Sequence, residues 1–158
     1  AINSYYRDLK NYQNLNGTSY LSDSYPKDLK LINWMNENIK QQPVILEASG
    51  DSYTDYARIS TNTGLPTVIG WSVHEWLWRG TYDLVSPRIN EVETIYTSSN
   101  IHLIKNLIKK YKIEYVVVSY LELQKYSKLN ENNLLKIGEV IYKDGATKLY
   151  KINLSALN

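Results

Sequence analysis

The sequence contains no cysteine among its 158 residues, so disulfide bonds and thiolate metal sites are excluded. Phenylalanine is also missing, whereas tyrosine occurs 15 times. Tyrosine therefore supplies most of the aromatic bulk and brings a hydroxyl group to each of its positions. Apolar residues make up 43% of the chain and charged residues 22%, a balance that is typical of one folded domain and not of a disordered chain.

Long apolar runs are missing as well. No run approaches the roughly 20 residues that a membrane-spanning helix needs. The polar, tyrosine-rich start AINSYYRDLKNY does not resemble a signal peptide. Because the chain opens in this way, we expect it to be an excised part of a longer protein.

Several classes of functional motif are absent from the sequence. There is no Gly-rich dinucleotide loop, no phosphate loop and no GxSxG nucleophile elbow. The pair His74-Glu75 lacks the second histidine of a zinc-protease helix, and no spacing of histidines and carboxylates supports a metal site. RNA-binding aromatic motifs, helix-turn-helix patterns and zinc fingers are missing too. We therefore expect no cofactor, no metal and no nucleic-acid partner.

Helices are predicted where apolar residues recur at helical spacing. The clearest pattern covers 101–112, where Ser99 or Asn100 can cap the first turn. A second helix is predicted over 26–40 and a shorter one over 88–96, whereas 74–78 is compatible with either a helical turn or a loop.

Strands are predicted from short, continuous apolar runs and from one turn signal. Continuous runs are typical of a sheet that is covered on both faces. Asp-Gly between two alternating segments is a strong hairpin signal. The predicted strands are 43–48, 65–70 and 114–119, followed by a hairpin of 137–143 and 147–152 around Asp144-Gly145.

A helix followed closely by an apolar strand occurs twice, which is typical of an α/β layer. We therefore predict a single three-layer α/β domain over 26–158, with a short mixed sheet and a C-terminal β-hairpin. An extended lead-in is predicted over 1–25.

The segment Glu47–Gly80 combines three tryptophans, two arginines, a histidine and four carboxylates. Packing alone does not need this mixture, and planar rings beside fixed donors and acceptors suit a sugar or another polyhydroxylated ligand. Guanidinium groups in such a site would contact phosphate or carboxylate groups. We predict a polar-aromatic ligand-binding cleft, without assigning a catalytic residue. Its candidate residues are Glu47, Tyr53, Arg58, Trp71, His74, Glu75, Trp78 and Arg79.

The carboxylates of this segment leave two interpretations open. Glu47 and Glu75 could form the acid pair of a glycoside hydrolase if their carboxyl groups lay about 5–10 Å apart. Alternatively, Glu47 pairs with Arg58 or Arg79 as a partly buried ion pair that holds the loop. The second interpretation is favoured because isolated acids are far more common than catalytic pairs.

The same segment resembles the soluble C-terminal domain of the YYY-type membrane proteins, large multi-pass proteins of archaea and bacteria. Ala57 departs from the family pattern, which has glycine there. The matching residues are Glu47-Ala48, Ser52-Tyr53-Thr54, Arg58-Ile59-Ser60, Thr63-Gly64-Leu65-Pro66-Thr67, Gly70-Trp71, His74-Glu75 and Trp78-Arg79-Gly80.

This resemblance implies a membrane-anchored, extracytoplasmic domain that follows a bundle of membrane helices. Such proteins are similar in layout to GT-C glycosyltransferases, which use lipid-linked sugars. The expected role is to bind an acceptor, a glycan or a lipid-linked sugar beside the membrane active site, with the domain alone not catalytic. Its partner would be its own transmembrane region. The alternatives are a freestanding glycoside hydrolase, or a structural domain that packs on the membrane bundle.

Overall fold

The computed structural model describes residues 17–157. Most of the predicted lead-in, residues 1–16, lies outside these residues. In its remaining part, helix α1 (Ser19–Ser24) forms in place of the expected extended chain. Leu21 of this helix is fully buried and packs in the same apolar cluster as Leu31, so burial of this side chain favours the helical turn.

The described residues form eight α-helices and four strands. They are, in chain order, α2 (Pro26–Asn38), β1 (Val44–Leu46), α3 (Arg58–Thr63), α4 (Ser72–Arg79), α5 (Ser86–Thr97), α6 (Ile101–Tyr111), β2 (Ile113–Val118), α7 (Tyr120–Lys125), α8 (Glu131–Ile137), β3 (Gly138–Asp144) and β4 (Thr147–Ile152), with 3₁₀ turns at Tyr82–Leu84 and Leu154–Leu157. No helix of residues 17–157 has the length and hydrophobicity that a bilayer crossing requires.

The four strands form one mixed sheet in the order β1-β2-β4-β3. Strands β1 and β2 are parallel, and β4 is antiparallel to both of its neighbours. The β3–β4 hairpin turns at Gly145-Ala146, one residue later than predicted, because Asp144 still pairs with Thr147; Gly145 has a positive φ of +65°, as tight hairpin turns require. The predicted mixed sheet and C-terminal hairpin are confirmed.

Apolar side chains cover both faces of the sheet, as the continuous runs predicted. On β2, Val117 belongs to a cluster formed with α1, α2 and α3, whereas Val116 and Val118 belong to a larger cluster formed with α5, α6 and α8. The side chains of strand β4 divide in the same way: Leu149 belongs to the cluster of Val117, and Tyr150 belongs to the larger cluster. Because successive side chains of a strand point to opposite faces, this division confirms the three-layer α/β domain.

The predicted strand at 65–70 is wrong. This segment contributes a single bridge to the sheet, between Thr67 and Ile45, and the amide of Ile45 donates to the carbonyl of Pro66. Proline has no N–H to donate to a neighbouring strand, so the ladder cannot continue through it. The short helices α3, α7 and α8 are not in the sequence prediction, since two turns or fewer show little periodicity.

Helix α6 begins with the predicted cap. The side chain of Asn100 accepts hydrogen bonds from the amides of His102 and Leu103. Ile104, Leu107 and Ile108 form its buried face. Capping therefore fixes where this helix starts, and the apolar face fixes how it rests on the sheet.

We expect Asn100→Ala to lower the free energy of unfolding by about 1 kcal/mol, because the two amides lose their acceptor. Urea denaturation of the purified chain measures this loss. The matched control is Asn106→Ala, which changes an exposed residue inside the same helix and should leave stability unchanged or slightly raised. Equal losses in the two variants would contradict a capping role.

Candidate functional site

Arg58 is an almost completely buried charge, with only 2% of its surface exposed. It starts helix α3, and its Nε donates to Asp28 Oδ2 at 2.5 Å. Its two terminal nitrogens donate to the two carboxylate oxygens of Glu122 at 3.3 and 3.1 Å. This two-pronged geometry is the arrangement in which a guanidinium and a carboxylate bind most strongly.

The carboxylates around Arg58 are held by further donors. Glu122 also accepts from the amides of Ala48 and Ser119, at 3.0 Å each, and Ser119 Oγ donates to Asp28. Burial by itself lowers the pKa of Arg58, but the adjacent Glu122 and Asp28 outweigh this effect and raise its pKa above the usual value. The guanidinium therefore stays charged inside the fold.

Glu47 follows strand β1, as predicted, but it is completely buried. Its two oxygens accept from the amides of Ile59 and Ser60 at 3.0 and 2.8 Å, in the first turn of α3. Burial raises the pKa of Glu47, although the nearby Arg58 and the Ser60 amide act in the opposite direction. Glu47 therefore acts as a helix-capping acid, because its carboxylate accepts hydrogen bonds from amides that have no partner within the helix.

These groups occupy the edge of the sheet at which the parallel strands end. Glu47 follows β1 and Ser119 follows β2, and Asp28 and Arg58 reach this edge from the first turns of α2 and α3. In open α/β sheets this edge is the usual place for ligands. Here the protein's own charges fill it.

The remaining candidates lie on the surface around α4. Tyr53, Trp71, His74 and Trp78 form one continuous group, which we call the aromatic cluster. The ring of His74 lies 5.2 Å from those of Tyr53 and Trp71 and 5.8 Å from that of Trp78. Tyr53 and Trp78 are 85% and 83% exposed, so the outer part of the cluster faces solvent.

Contacts beneath the aromatic cluster fix its position. The indole N–H of Trp71 donates to the carbonyl of Tyr56 at 2.9 Å. Glu75 accepts from the amide of Gly70 at 2.8 Å and from Arg79, four residues further along α4. Arg79 is thus engaged with Glu75 on the surface beside the cluster.

Two residues of the loop that leads to α3 have an unusual backbone. Tyr53 and Ala57 have φ values of +62° and +64°, a region that residues with a side chain rarely adopt. Glycine adopts such values without strain, so alanine at position 57 is unusual. A bulky exposed residue such as Tyr53 in this conformation is a recognised mark of functional loops.

The eight candidate residues therefore do not form one cleft. Glu47 and Arg58 are sealed in the interior, so neither reaches a ligand, and the expected contact of Arg58 with phosphate is wrong. The expected pairing of Glu47 with an arginine is also corrected, because the ion-pair partners of Arg58 are Asp28 and Glu122. The other six candidates lie together at the surface.

The proposed acid pair of a glycoside hydrolase is lost for the same reason. A catalytic carboxyl group must reach the glycosidic oxygen or the sugar ring. Glu47 has no exposed surface, and both of its oxygens are occupied by backbone amides. We therefore discard the hydrolase interpretation.

Sequence reasoning missed the partners of Arg58 and the residues near them. A signal for Glu122 existed: Ser119-Tyr-Leu-Glu122 is a capping box, and both of its reciprocal hydrogen bonds are present. Asp28 gave no such signal beyond its place in a first helical turn. Within residues 17–157, no group of three or more histidine, aspartate or glutamate side chains is arranged to hold a metal ion.

Comparison with known proteins gives a likeness in fold. No known family profile and no curated protein sequence matches the chain. Among solved structures, the chain is similar to the C-terminal globular domain of oligosaccharyltransferase from Archaeoglobus fulgidus. The match has a TM-score of 0.53 and 15% sequence identity, and it covers 79% of this chain and 95% of that one.

At this identity the likeness establishes a shared fold. It agrees with the predicted α/β fold. The narrower resemblance to the YYY-type proteins stays a prediction.

We expect Arg58→Ala to lower the free energy of unfolding by about 3–5 kcal/mol, or to prevent folding, because it leaves buried carboxylates without their counter-charge. Arg79→Ala is the matched control. It breaks an exposed pair across one helical turn and should cost less than about 0.5 kcal/mol. Urea denaturation followed by circular dichroism measures both, and similar losses would contradict the division into a buried and a surface arginine.

Proposed function

We propose that this protein is the extracytoplasmic domain of a membrane-anchored, glycosyltransferase-like protein, and that it binds a glycan, an acceptor or a lipid-linked sugar. The domain itself is not catalytic. It presents its ligand to an active site in the parent's membrane region. The observation that carries the proposal is the exposed aromatic cluster of Tyr53, Trp71, His74 and Trp78.

The geometry of the aromatic cluster supports sugar binding. Tyrosine and tryptophan rings offer a flat apolar face together with a polar edge, which matches the C–H and hydroxyl groups of a pyranose. Trp78 and Tyr53 lie on either side of His74, so two exposed rings are held at a fixed separation. Glu75 and Arg79 add an acceptor and a donor beside them.

Two further observations support the proposed attachment of this domain to a membrane-embedded enzyme. The fold is shared with a domain of an oligosaccharyltransferase, and the residues from Glu47 to Gly80 resemble the C-terminal domain of the YYY-type proteins. Both supports favour a place next to a membrane-embedded enzyme.

Trp78→Ala should weaken glycan binding by about tenfold, because it removes one stacking face. A glycan array identifies a ligand, and isothermal titration of that glycan measures the affinity. Trp76→Ala is the matched control: Trp76 lies on the same helix and is 43% exposed, but it contacts Tyr82 outside the cluster. If the wild-type chain binds no glycan at millimolar concentration, the proposed function is wrong.

A substitution at Tyr53 separates binding from stability. Tyr53→Gly should weaken glycan binding several-fold, yet leave the free energy of unfolding unchanged or raise it by up to about 1 kcal/mol, because glycine adopts a positive φ without strain. Thermal denaturation and the same titration measure the two effects. A clear loss of stability with unchanged binding would mean that Tyr53 is a structural residue.

A second candidate function is docking on the parent's own transmembrane region. The observation that favours it is an exposed apolar surface on α4 and the following 3₁₀ turn. This surface extends beyond the residues of the aromatic cluster, so sugar stacking does not account for all of it. Its exposed members are Val73, Trp76, Leu77, Trp78, Tyr82 and Leu84.

The two candidates predict different roles for Leu77, which is 64% exposed. Docking predicts that Leu77→Ser and Trp76→Ala each reduce co-sedimentation of the chain with phosphatidylcholine vesicles by about tenfold, because exposed apolar side chains insert below the zwitterionic headgroups of such vesicles. Glycan binding alone predicts no effect of either substitution on titration with the sugar. Vesicle binding that both substitutions leave unchanged would rule out docking.

A further inference from the structure

A small pocket lies beside the aromatic cluster, at the carboxyl end of strand β1. Its volume is about 230 Å³, below the roughly 300–1,000 Å³ of pockets for complete drug-sized ligands, so it suits one small group. The carbonyl of Tyr56 in its wall accepts the indole N–H of Trp71, which joins the pocket to the cluster. The lining residues are Ser49, Gly50, Asp51, Thr54, Tyr56, Ser72, Tyr82, Ile89 and Lys125.

The first argument for a ligand is the hydroxyl of Ser49. Ser49 is only 1% exposed and lines the pocket, yet its Oγ has no hydrogen-bond partner within residues 17–157. The hydroxyl of Tyr126 likewise has no partner in hydrogen-bond geometry among these residues, although it lies close to Ser49: burial raises the pKa of Tyr126, and the Ser49 hydroxyl acts in the opposite direction. Buried polar groups without a partner are rare in native folds because each one lowers the stability of the fold.

The second argument is the position of Lys125. This side chain bends over the sheet edge, where its Nζ donates to the carbonyl of Ser49 and lies 4.9 Å from the centre of the Tyr56 ring. It forms no ion pair within the described part of the chain. Burial lowers the pKa of Lys125, against the pull of Asp51 and Glu93. An ammonium group held in this way has donors left for a ligand.

Donors and acceptors in the pocket are balanced. Lys125 donates, the Asp51 carboxylate accepts, and the hydroxyl of Ser49 does both. An anionic ligand would be attracted by Lys125 but repelled by Asp51. A neutral polyhydroxylated ligand satisfies both charges because each of its hydroxyls donates and accepts. The Tyr56 and Tyr82 rings in the wall match the apolar face of such a ligand.

We infer that this pocket seats one neutral sugar ring of the glycan that the aromatic cluster binds, with Lys125, Asp51 and Ser49 hydrogen-bonding its hydroxyls. The inference rests on the proposed function and adds to it. The aromatic cluster stacks against the adjoining part of the glycan, and the pocket selects one ring by the arrangement of its hydroxyl groups.

The test uses the neutral oligosaccharide selected by the glycan array and isothermal titration. Ser49→Ala should weaken its binding by about threefold to tenfold, and Lys125→Met by about tenfold or more, in line with a neutral and a charged hydrogen bond. Lys128→Met, at an exposed position three residues further on, is the control and should bind normally. Inorganic phosphate should not compete with the oligosaccharide.

Stability measurements complete the test. Ser49→Ala should leave the unfolding midpoint unchanged or raise it, because the lost hydroxyl has no protein partner. A lowered midpoint would mean that Ser49 and Tyr126 hydrogen-bond each other, and would overturn the inference. Competition by phosphate would also overturn it. If Trp78→Ala weakens binding while Ser49→Ala and Lys125→Met do not, the pocket is excluded and the proposed function stands; if the wild type binds no glycan, both fall.

Discussion

The burial of Arg58 constrains the fold more than any other single interaction of the described residues. A guanidinium cannot lose its charge, so removing it from water requires carboxylates and hydrogen-bond acceptors on several sides. Asp28 and Glu122 supply them from the first turns of α2 and α7, on either side of the central sheet edge. Because both carboxylates bind the same guanidinium, they fix the positions of α2, α7 and α3 relative to the strands. Glu47 then secures the first turn of α3 through two backbone amides.

This arrangement has a consequence for where a ligand can bind. The carboxyl edge of the parallel strands is the customary binding site of an open α/β sheet, but here buried ionic groups fill its centre. The exposed candidate residues therefore lie at the rim of this edge, on the loop before α3 and on α4. There the backbone of Tyr53 is strained and its ring is exposed, and Lys125 donates a hydrogen bond to the backbone carbonyl of Ser49. The buried ionic groups hold this rim in a fixed position. The exposed rings therefore keep their spacing although they do not line a deep cavity.

The sheet, its two covered faces and its longest helices could be predicted from the sequence. Strand β2 and helix α6 carry strong local patterns, and Asp144-Gly145 signals the hairpin, although the turn itself lies at Gly145-Ala146. The elements that the sequence prediction placed wrongly or missed also have a physical explanation. The segment 65–70 is apolar enough for a strand, but Pro66 cannot donate to a ladder. Six residues of α3 are too few for a helical period, and this helix depends on Glu47 as a cap from outside it.

The amino-acid sequence by itself determined the α/β class and the concentration of aromatic and ionic residues between Glu47 and Gly80, because periodicity and composition are local properties. The tertiary structure alone decided which of those residues are exposed and which are buried. Arg58 finds its partners 30 and 64 positions away in the chain. Burial turns this arginine into part of the interior, whereas Trp78, twenty positions later, stays in solvent. Exposure and charge pairing depend on long-range contacts that no local pattern encodes.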